Sequence, residues 1–247
     1  MNICVTGGAG FIGSHLVDRL IELGHDVLVI DNLSTGMRSF VHEDAQFIEM
    51  DVRDPKLLSV FEEFKPSIVF HEAAQTMVQS SMENPSYDCD VNLIGLINVL
   101  DACRKVNVEQ FLMPSSAAVY GDLAVLPLTE DLSGMPSSFY GLTKLTAEGY
   151  LRIYHEAFGL NTVCFRYANV YGPRQGDGGE GGVISIFNRL IVEEQPLTVF
   201  GDGEQTRDFI YVDDVVDANI KAMGNGQCTG IYNISTNKGT SVNELIT

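Results

Sequence analysis

The sequence predicts an α/β protein built on a doubly wound parallel sheet, with a smaller C-terminal region after it. Three observations predict this. Short β-rich apolar runs alternate with amphipathic helical stretches through the first half of the chain. Consecutive apolar residues suit strands buried on both faces, which is how parallel sheets lie between helices. Glycines spaced three apart separate the first run from the first helix, and an acid closes the second run.

Taken in order, "NICVT" (2–6) reads as the first strand. After Gly10, Ile12, Leu16 and Leu20 make one i, i+4 row with Val17 and Ile21 beside it, an amphipathic helix. "DVLVI" (26–30), "QFIEM" (46–50) and "SIVFHEAA" (67–74) are the next strands. A long helix begins near Asn84-Pro85 and continues through "NVLDACRKV". Strand "QFLMPSS" (110–116) follows, then a helix from Tyr140 to Phe158, then strand "NTVCFRY" (161–167).

Beyond this point the pattern changes. "GPRQGDGGEGG" (172–182) is either a linker or a loop that orders over a ligand. A helix (183–194), short strands around "LTVFG" and "RDFIYV", and a helix after Asp213-Asp214 come next. "GDGEQTRD" reads as a turn, and no metal site is expected. At "TSVNELIT" a new helix is beginning, so the substrate region is expected to continue past Thr247. The division is 1–171 for a dinucleotide-binding domain and 172–247 for a substrate-binding region interleaved with it.

Composition sets limits on function. The 247 residues carry 33 acids against 15 lysines and arginines, a formal charge of −18. That balance disfavours nucleic acid and anionic membranes as partners. It reflects either salt adaptation or a very soluble surface. No run is long enough to span a bilayer, and "MNICVTGGAG" lacks a signal-peptide pattern. Cys4, Cys89, Cys103, Cys164 and Cys228 are scattered without a CxxC spacing, which reads as reduced thiols and a cytoplasmic protein.

"CVTGGAGFIGSHL" carries Gly7, Gly10 and Gly13, and Gly8-x-Gly10-x-x-Gly13 also fits the dinucleotide fingerprint. Glycines permit the tight turn and let backbone touch a pyrophosphate at a helix N-terminus, the device of Rossmann folds. Asp31 ends the second strand, where a carboxylate binds both hydroxyls of an adenosine ribose and repels a 2′-phosphate. Asp31 either does this, favouring NAD over NADP, or caps the "DNLSTG" turn.

Tyr140 and Lys144 stand four residues apart, one turn along the same helical face. With a nicotinamide at the C-terminal edge of the sheet, they suit alcohol oxidation. Tyr140 takes the hydroxyl proton. Lys144 lowers the phenol pKa from about 10 and holds the nicotinamide ribose. Ser116, delivered to the same edge by its strand, hydrogen-bonds the substrate oxygen.

These residues and their neighbours resemble the extended short-chain dehydrogenase/reductases, within them the NAD-dependent nucleotide-sugar epimerases and dehydratases. The matching segments include "TGGAGFIGSH", "DNLSTG", "DVRD", "HEAAQ", "DVNLIGLINVL", "SSAAVYG", "YGLTK", "RYANVYGPRQ" and "GDGEQTRDFIYVDD", in order across nearly the whole chain. The resemblance implies inversion of C4 of a UDP-hexose through a 4-keto sugar, with NAD regenerated each cycle. It implies catalytic roles for Tyr140, Lys144 and Ser116. It places Phe11 and Ile12 with the glycines, and Asn32, Ser34 and Gly36 with Asp31 at the cofactor. Asp51 and Val52 flank the adenine, and Ala73, Ala74 and Gln75 line the nicotinamide side. Asn92 braces the active-site backbone and is counted with the cofactor residues, or is purely structural. Tyr167 lies near the nicotinamide. Asn169, Val183, Thr198, Phe200 and Arg207 bind the UDP-sugar, Thr198 and Phe200 from a strand. The bland alternatives make Phe200 core and Arg207 an exposed ion-pair residue. A homodimer through helices near 85–106 and 140–158 is also implied.

Two departures stand out. Glu72 replaces an apolar residue in the "H-x-A-A" strand, so it either points outward or needs a partner. Pro114 replaces a common serine and shifts no catalytic group. His71 reads as a structural strand-end histidine. The 4,6-dehydratases carry an acidic pair just after the position of Ser116; this chain has Ala117 and Ala118. Epimerisation is therefore expected over dehydration, unless Asp122 or Glu130 reaches in. A non-catalytic dinucleotide-binding protein is the third possibility, disfavoured by the intact Ser116, Tyr140 and Lys144.

Overall fold

The structure is a computed structural model that describes residues 1–123, 125–176, 182–226 and 228–247. Its centre is a seven-stranded sheet formed by β1 (Asn2–Thr6), β2 (Asp26–Asp31), β3 (Gln46–Glu49), β4 (Ile68–His71), β5 (Gln110–Ser116), β6 (Asn161–Tyr167) and, from late in the chain, β10 (Gly230–Ile234). The order is β10-β6-β5-β4-β1-β2-β3, every pair parallel. The chain winds outward from β1 to β3, then returns to β4 on the other side of β1. Neighbouring strands that leave in opposite directions open a crevice at their carboxyl ends, here between Thr6 and its register partner His71.

Helices cover both faces. Residues Leu16, Val17 and Leu20 of α1 (Phe11–Glu22) share an apolar layer with Val29, Phe70 and Val215. On the other face α2 (Leu57–Phe64), α5 (Leu96–Val106) and α6 (Phe139–Phe158) bury Phe61, Leu100 and Leu151 against Cys4, Val69 and Phe111. Before α5 the chain forms α3 (Val78–Glu83) and α4 (Pro85–Cys89), and α4 runs into α5 through a π turn at Asp90–Gly95. Asn84 caps α4, and Pro85 starts it where no N–H is needed.

The C-terminal third is smaller in scale. β7 (Asn169–Tyr171) pairs with β9 (Phe209–Tyr211), and β8 (Thr206–Arg207) pairs with β11 (Thr240–Ser241). Around them lie α7 (Val183–Val192), α8 (Val212–Ala222) and α9 (Val242–Leu245). α8 docks on α1, where Arg19 Nη1 donates to Asp217 Oδ1 at 2.9 Å. The region thus sends α8 and β10 back into the main layers.

Several expectations need correction. The fourth strand stops at His71 rather than residue 74, because the chain there crosses over the glycine turn. "LTVFG" forms no strand: residues 196–200 have no regular structure and no sheet neighbour, and Phe200 is 80% exposed. α7 ends two residues early, with Glu194 in a left-handed conformation. α8 starts at Val212, which places Asp213 and Asp214 in its first turn, where acids complement the helix dipole. Of the glycine-rich stretch 172–182, residues 177–181 lie outside the described residues. Among the described residues no helix is long and apolar enough to cross a membrane.

Candidate active site

A cleft of about 500 Å³ opens over the crevice beside β1. Its floor is the turn between β1 and α1. Gly7 has φ +73°, and a Cβ there would lie 2.5 Å from the Ala73 nitrogen. A Cβ at Gly13 would fall 2.2 Å from the Gly7 carbonyl oxygen. Only backbone fits at either place. No side chain caps α1 and no acid stands in its first turn, so the first-turn N–H groups keep their partial positive charge for an anion. Gly7, Gly10, Phe11, Ile12 and Gly13 all line the cleft.

One end is acidic. Asp31, Asn32, Ser34 and Gly36 line it with Asp51 and Val52. Asp31 accepts hydrogen bonds from the Ala9 N–H (3.0 Å) and the Leu33 N–H (2.8 Å). Its carboxylate therefore fixes the turn, as one of the two readings has it, and also borders the cleft. Asp51 accepts from Asn32 Nδ2 (2.8 Å) and forms an ion pair with Arg53 (2.7 Å). Hydrogen bonds from that guanidinium hold its carboxyl well below the usual range.

Ser116, Tyr140, Lys144 and Tyr167 line the other end, with Ala73, Ala74 and Gln75 between. β5 carries Ser116 to the sheet edge. β4 pairs with β5 only as far as Leu112, so Pro114 stands where β5 runs with one neighbour. Its carbonyl accepts from Lys144 Nζ at 2.9 Å. Pro114 lacks only an N–H, so it keeps the atom that the lysine uses. Ser138 caps α6 through the Gly141 N–H (3.1 Å), which sets Tyr140 and Lys144 in the first turns, with Lys144 Nζ 5.9 Å from the Tyr140 ring centre.

The electrostatics differ from the sequence expectation. Burial raises the Tyr140 phenol above its ordinary value; the nearby Ser116 hydroxyl, bonding the ionised form, works against this, and Asp88 adds to the rise. Lys144 Nζ bonds the Pro114 carbonyl, and burial, not a lowering by that ammonium, dominates at the phenol. Burial also lowers Lys144, opposed by Cys164, Glu72, Asp88 and Glu148. His71 is structural: its Nδ1 lies 2.8 Å from Thr6 Oγ1, and burial with the Lys144 charge lowers it to about 3.

Asn92 does not line the cleft. It is buried in the π turn, where Oδ1 accepts from the Gln75 N–H (2.8 Å) and Nδ2 donates to the Gln75 carbonyl (3.0 Å). It thus braces the chain, with its amide engaged by Gln75, Asp88 and Thr143. Sequence reasoning missed Asp88, whose Oδ1 accepts from Gln75 Nε2 (2.7 Å) and Oδ2 from Thr143 (2.8 Å). The i, i+4 spacing of Asp88 and Asn92 is the signal that points to it.

The residues expected at the sugar nucleotide gather elsewhere. Asn169, Val183, Thr198, Phe200 and Arg207 line a second cleft of about 300 Å³, which shares Val170 and Gln175 with the first. Phe200 is no core residue, given its exposure. Arg207 has no carboxylate partner among the described residues; its Nη1 donates to the Thr206 carbonyl at 2.8 Å. Neither Asp122 nor Glu130 lines either cleft, and Glu130 Oε1 is taken by the Asn233 N–H (2.6 Å). Among the described residues no cluster of three or more metal-ligating side chains occurs.

Comparison with known proteins gives a consistent picture. The model of the "NAD dependent epimerase/dehydratase family" matches residues 3–235. A UDP-glucose 4-epimerase of Mycolicibacterium smegmatis is 40% identical over all of this chain and 81% of its own length. Among solved structures, a UDP-glucose 4-epimerase of Thermotoga maritima with UDP-glucose is 43% identical, with a TM-score of 0.95 over 99% of this chain and 80% of that one. The Thermus thermophilus UDP-glucose 4-epimerase in complex with NAD is 40% identical, with a TM-score of 0.94 over 100% and 81%.

Proposed function

The chain belongs to the NAD dependent epimerase/dehydratase family, and from that premise we propose that it is an NAD-dependent epimerase inverting C4 of a UDP-hexose. The observation that carries this reading is the junction of the two clefts at Val170 and Gln175. One cleft has the form of a dinucleotide site with a serine, a tyrosine and a lysine at one end. The other, beside that end, offers an exposed phenylalanine and an arginine with no carboxylate partner among the described residues.

The first cleft fits NAD. Its glycine turn leaves backbone room at an uncapped helix N-terminus, as a pyrophosphate needs. Asp31, at the acidic end of this cleft, binds the adenosine ribose in this reading and repels a 2′-phosphate. When bound, NAD supplies the ring that takes a hydride from C4 and returns it to the opposite face. Tyr140 takes the C4 hydroxyl proton and gives it back; Ser116 steadies that oxygen; Lys144 holds ribose and keeps positive charge near the phenol. Arg207 pairs with the diphosphate while Phe200 and Thr198 contact the uracil end, with Asn169 and Val183 nearby. In this reading residues 1–171 chiefly hold the cofactor and 172–247 chiefly the sugar nucleotide, interleaved where Ser116 and Asn169 reach the sugar and β10 joins the main sheet.

Elimination needs a base and an acid placed together at C5 and C6. Ala117 and Ala118 provide neither, and one carboxyl near the chemistry, Glu72, is not a pair. A cytoplasmic homodimer is part of the same reading. It is supported by five free cysteines and by exposed Ile94, Leu142, Tyr150 and Ile153 on the two long helices. The test is incubation with NAD and UDP-glucose, UDP-galactose, their N-acetyl forms and dTDP-glucose, with products analysed by mass. Products of unchanged mass and inverted C4 are expected; a water-loss product without an epimer would overturn the reading.

A further inference from the structure

Glu72 faces the first cleft, and among the described residues its Oε1 finds no hydrogen-bond partner. Just past the end of β4, its N–H donates to the Thr6 carbonyl (2.9 Å). The backbone there is jammed against the glycine turn, where a Cβ at Gly7 would lie 2.7 Å from the Glu72 carbonyl carbon. The side chain cannot leave by a backbone shift, and it lines the first cleft. Oε1 is buried with no hydrogen-bond partner. An ionised carboxylate in that position lacks the compensation that burial normally demands.

Two titratable groups act on it from packed elements, Lys144 from α6 and Tyr167 from β6. His71 precedes it on the chain, and Tyr140 lines the same cleft. Cys164 and Asp88 act on Lys144 in their turn. Tyr167 is already hydrogen-bonded by Asn219 Nδ2 (2.6 Å), and His71 is held neutral at Thr6. Lys144 is the one cation of the set, and it is committed to the Pro114 carbonyl. Glu72 thus lines the cleft with the groups proposed to handle the reaction, and among the described contacts its one nearby cation, Lys144, bonds the Pro114 carbonyl and not the Glu72 carboxylate. Burial raises its carboxyl to about 7, against the opposing pull of Lys144.

We propose that Glu72 discriminates the charge of the nicotinamide, favouring the oxidised, positively charged ring over the reduced, neutral one. The proposal rests on the NAD reading above. Its consequence for an epimerase is direct. Hydride must return to the sugar in every cycle, and a carboxylate that stabilises the oxidised ring disfavours stalling with the reduced one. By linkage, a carboxyl that favours the cationic ring is itself more acidic beside it. The preference for NAD over NADH is therefore small when Glu72 is protonated and full when it is ionised.

Calorimetric titration of the protein, freed of nucleotide, with NAD and with NADH from about pH 5.5 to about pH 8 tests this. Opposite charges within a few ångströms shift a carboxyl by about one to three pKa units, so the NAD/NADH affinity ratio should rise at least about tenfold across that range. In Glu72→Gln the ratio should stay at its low-pH value. Lys144 is unchanged in that variant, so any rise caused by the lysine would persist. Should Glu72→Gln fail to fold, Glu72→Leu serves in its place with the same expected flat ratio. A flat ratio in the unaltered protein, or the same rise in the variant, would overturn the proposal while leaving NAD binding intact. Binding of neither nucleotide by the unaltered protein would sink the NAD reading and this inference with it.

Discussion

Around Gly7 and Gly13 the backbone leaves no room even for a methyl group, whereas around Thr198 and Phe200 the chain has no regular structure and Phe200 stands 80% exposed. Both regions line clefts, and both are proposed to bind parts of one reacting system. The cofactor side is a shape held by buried strands and by atoms that touch within the fold. The sugar side is a set of side chains, Thr198, Phe200 and Arg207, whose partners lie outside the described contacts. A change on the first side should therefore cost folding and binding together. A change on the second should cost binding alone.

The largest expected effect is at the junction of the two. Tyr140→Phe removes a hydroxyl and leaves the glycine turn untouched, so NAD binding should persist while turnover falls by about 10²-fold or more, as for a positioned general base. Measuring kcat together with cofactor occupancy decides it. Near-normal turnover would take Tyr140 out of the proton transfer.

Next comes Gly13→Ala, which tests the coupling on the cofactor side. The new Cβ would lie 2.2 Å from the Gly7 carbonyl, and overpacking of this kind costs about 1–3 kcal/mol. Thermal unfolding without nucleotide should shift down, and NAD affinity should fall with it. An unshifted Tm with weakened NAD binding would mean that the turn gives way locally and the two costs are separable.

Arg207→Ala makes the opposite case. Its guanidinium is exposed and bonds only the adjacent carbonyl among the described contacts, so stability should stay within about 0.5 kcal/mol. Loss of a charge-assisted bond to a diphosphate should weaken the substrate by about tenfold. The readout is KM for the UDP-sugar beside Tm of the free protein. A fall in Tm with unchanged KM would make Arg207 structural.

The same contrast explains which parts were legible in sequence. β1, β2, β5 and β6 read out within a residue, because strands buried on both faces must be apolar throughout. The glycine turn was legible because steric exclusion leaves one residue type. "LTVFG" looked like a strand by composition, yet a strand needs a neighbour, and nothing local says that none is there. The π turn at Asp90–Gly95 was invisible for a related reason: one extra residue in a helical turn changes hydrogen bonding without changing which residues are apolar. It sets Asn92 against Gln75, a backbone-bracing contact that apolar spacing alone does not report. Glu72 stands out in the sequence as a departure, but whether a polar side chain faces solvent or a cleft depends on how neighbouring elements pack.

The smallest expected effect asks whether Glu72 belongs with the costly side or the free one. Its carboxyl is raised from 4.5 to about 7 in the fold. Between those values the folded protein holds a proton that the unfolded chain has released, so stability falls as pH rises through the window and is level above it. Gln carries no such proton. The Tm of Glu72→Gln minus that of the unaltered protein, both without nucleotide, should therefore grow from about pH 4.5 to about pH 8. A gain of about 1 kcal/mol is expected, below the full shift because the side chain borders a cleft open to water. Taking the difference at each pH cancels any fixed packing cost of the amide. A difference that stays constant would mean that Glu72 ionises as freely in the fold as in the unfolded chain. The cofactor side would then contain a polar group as loosely held as those of the sugar side, and the line between a rigid cradle and an adaptable surface would run through the cleft itself.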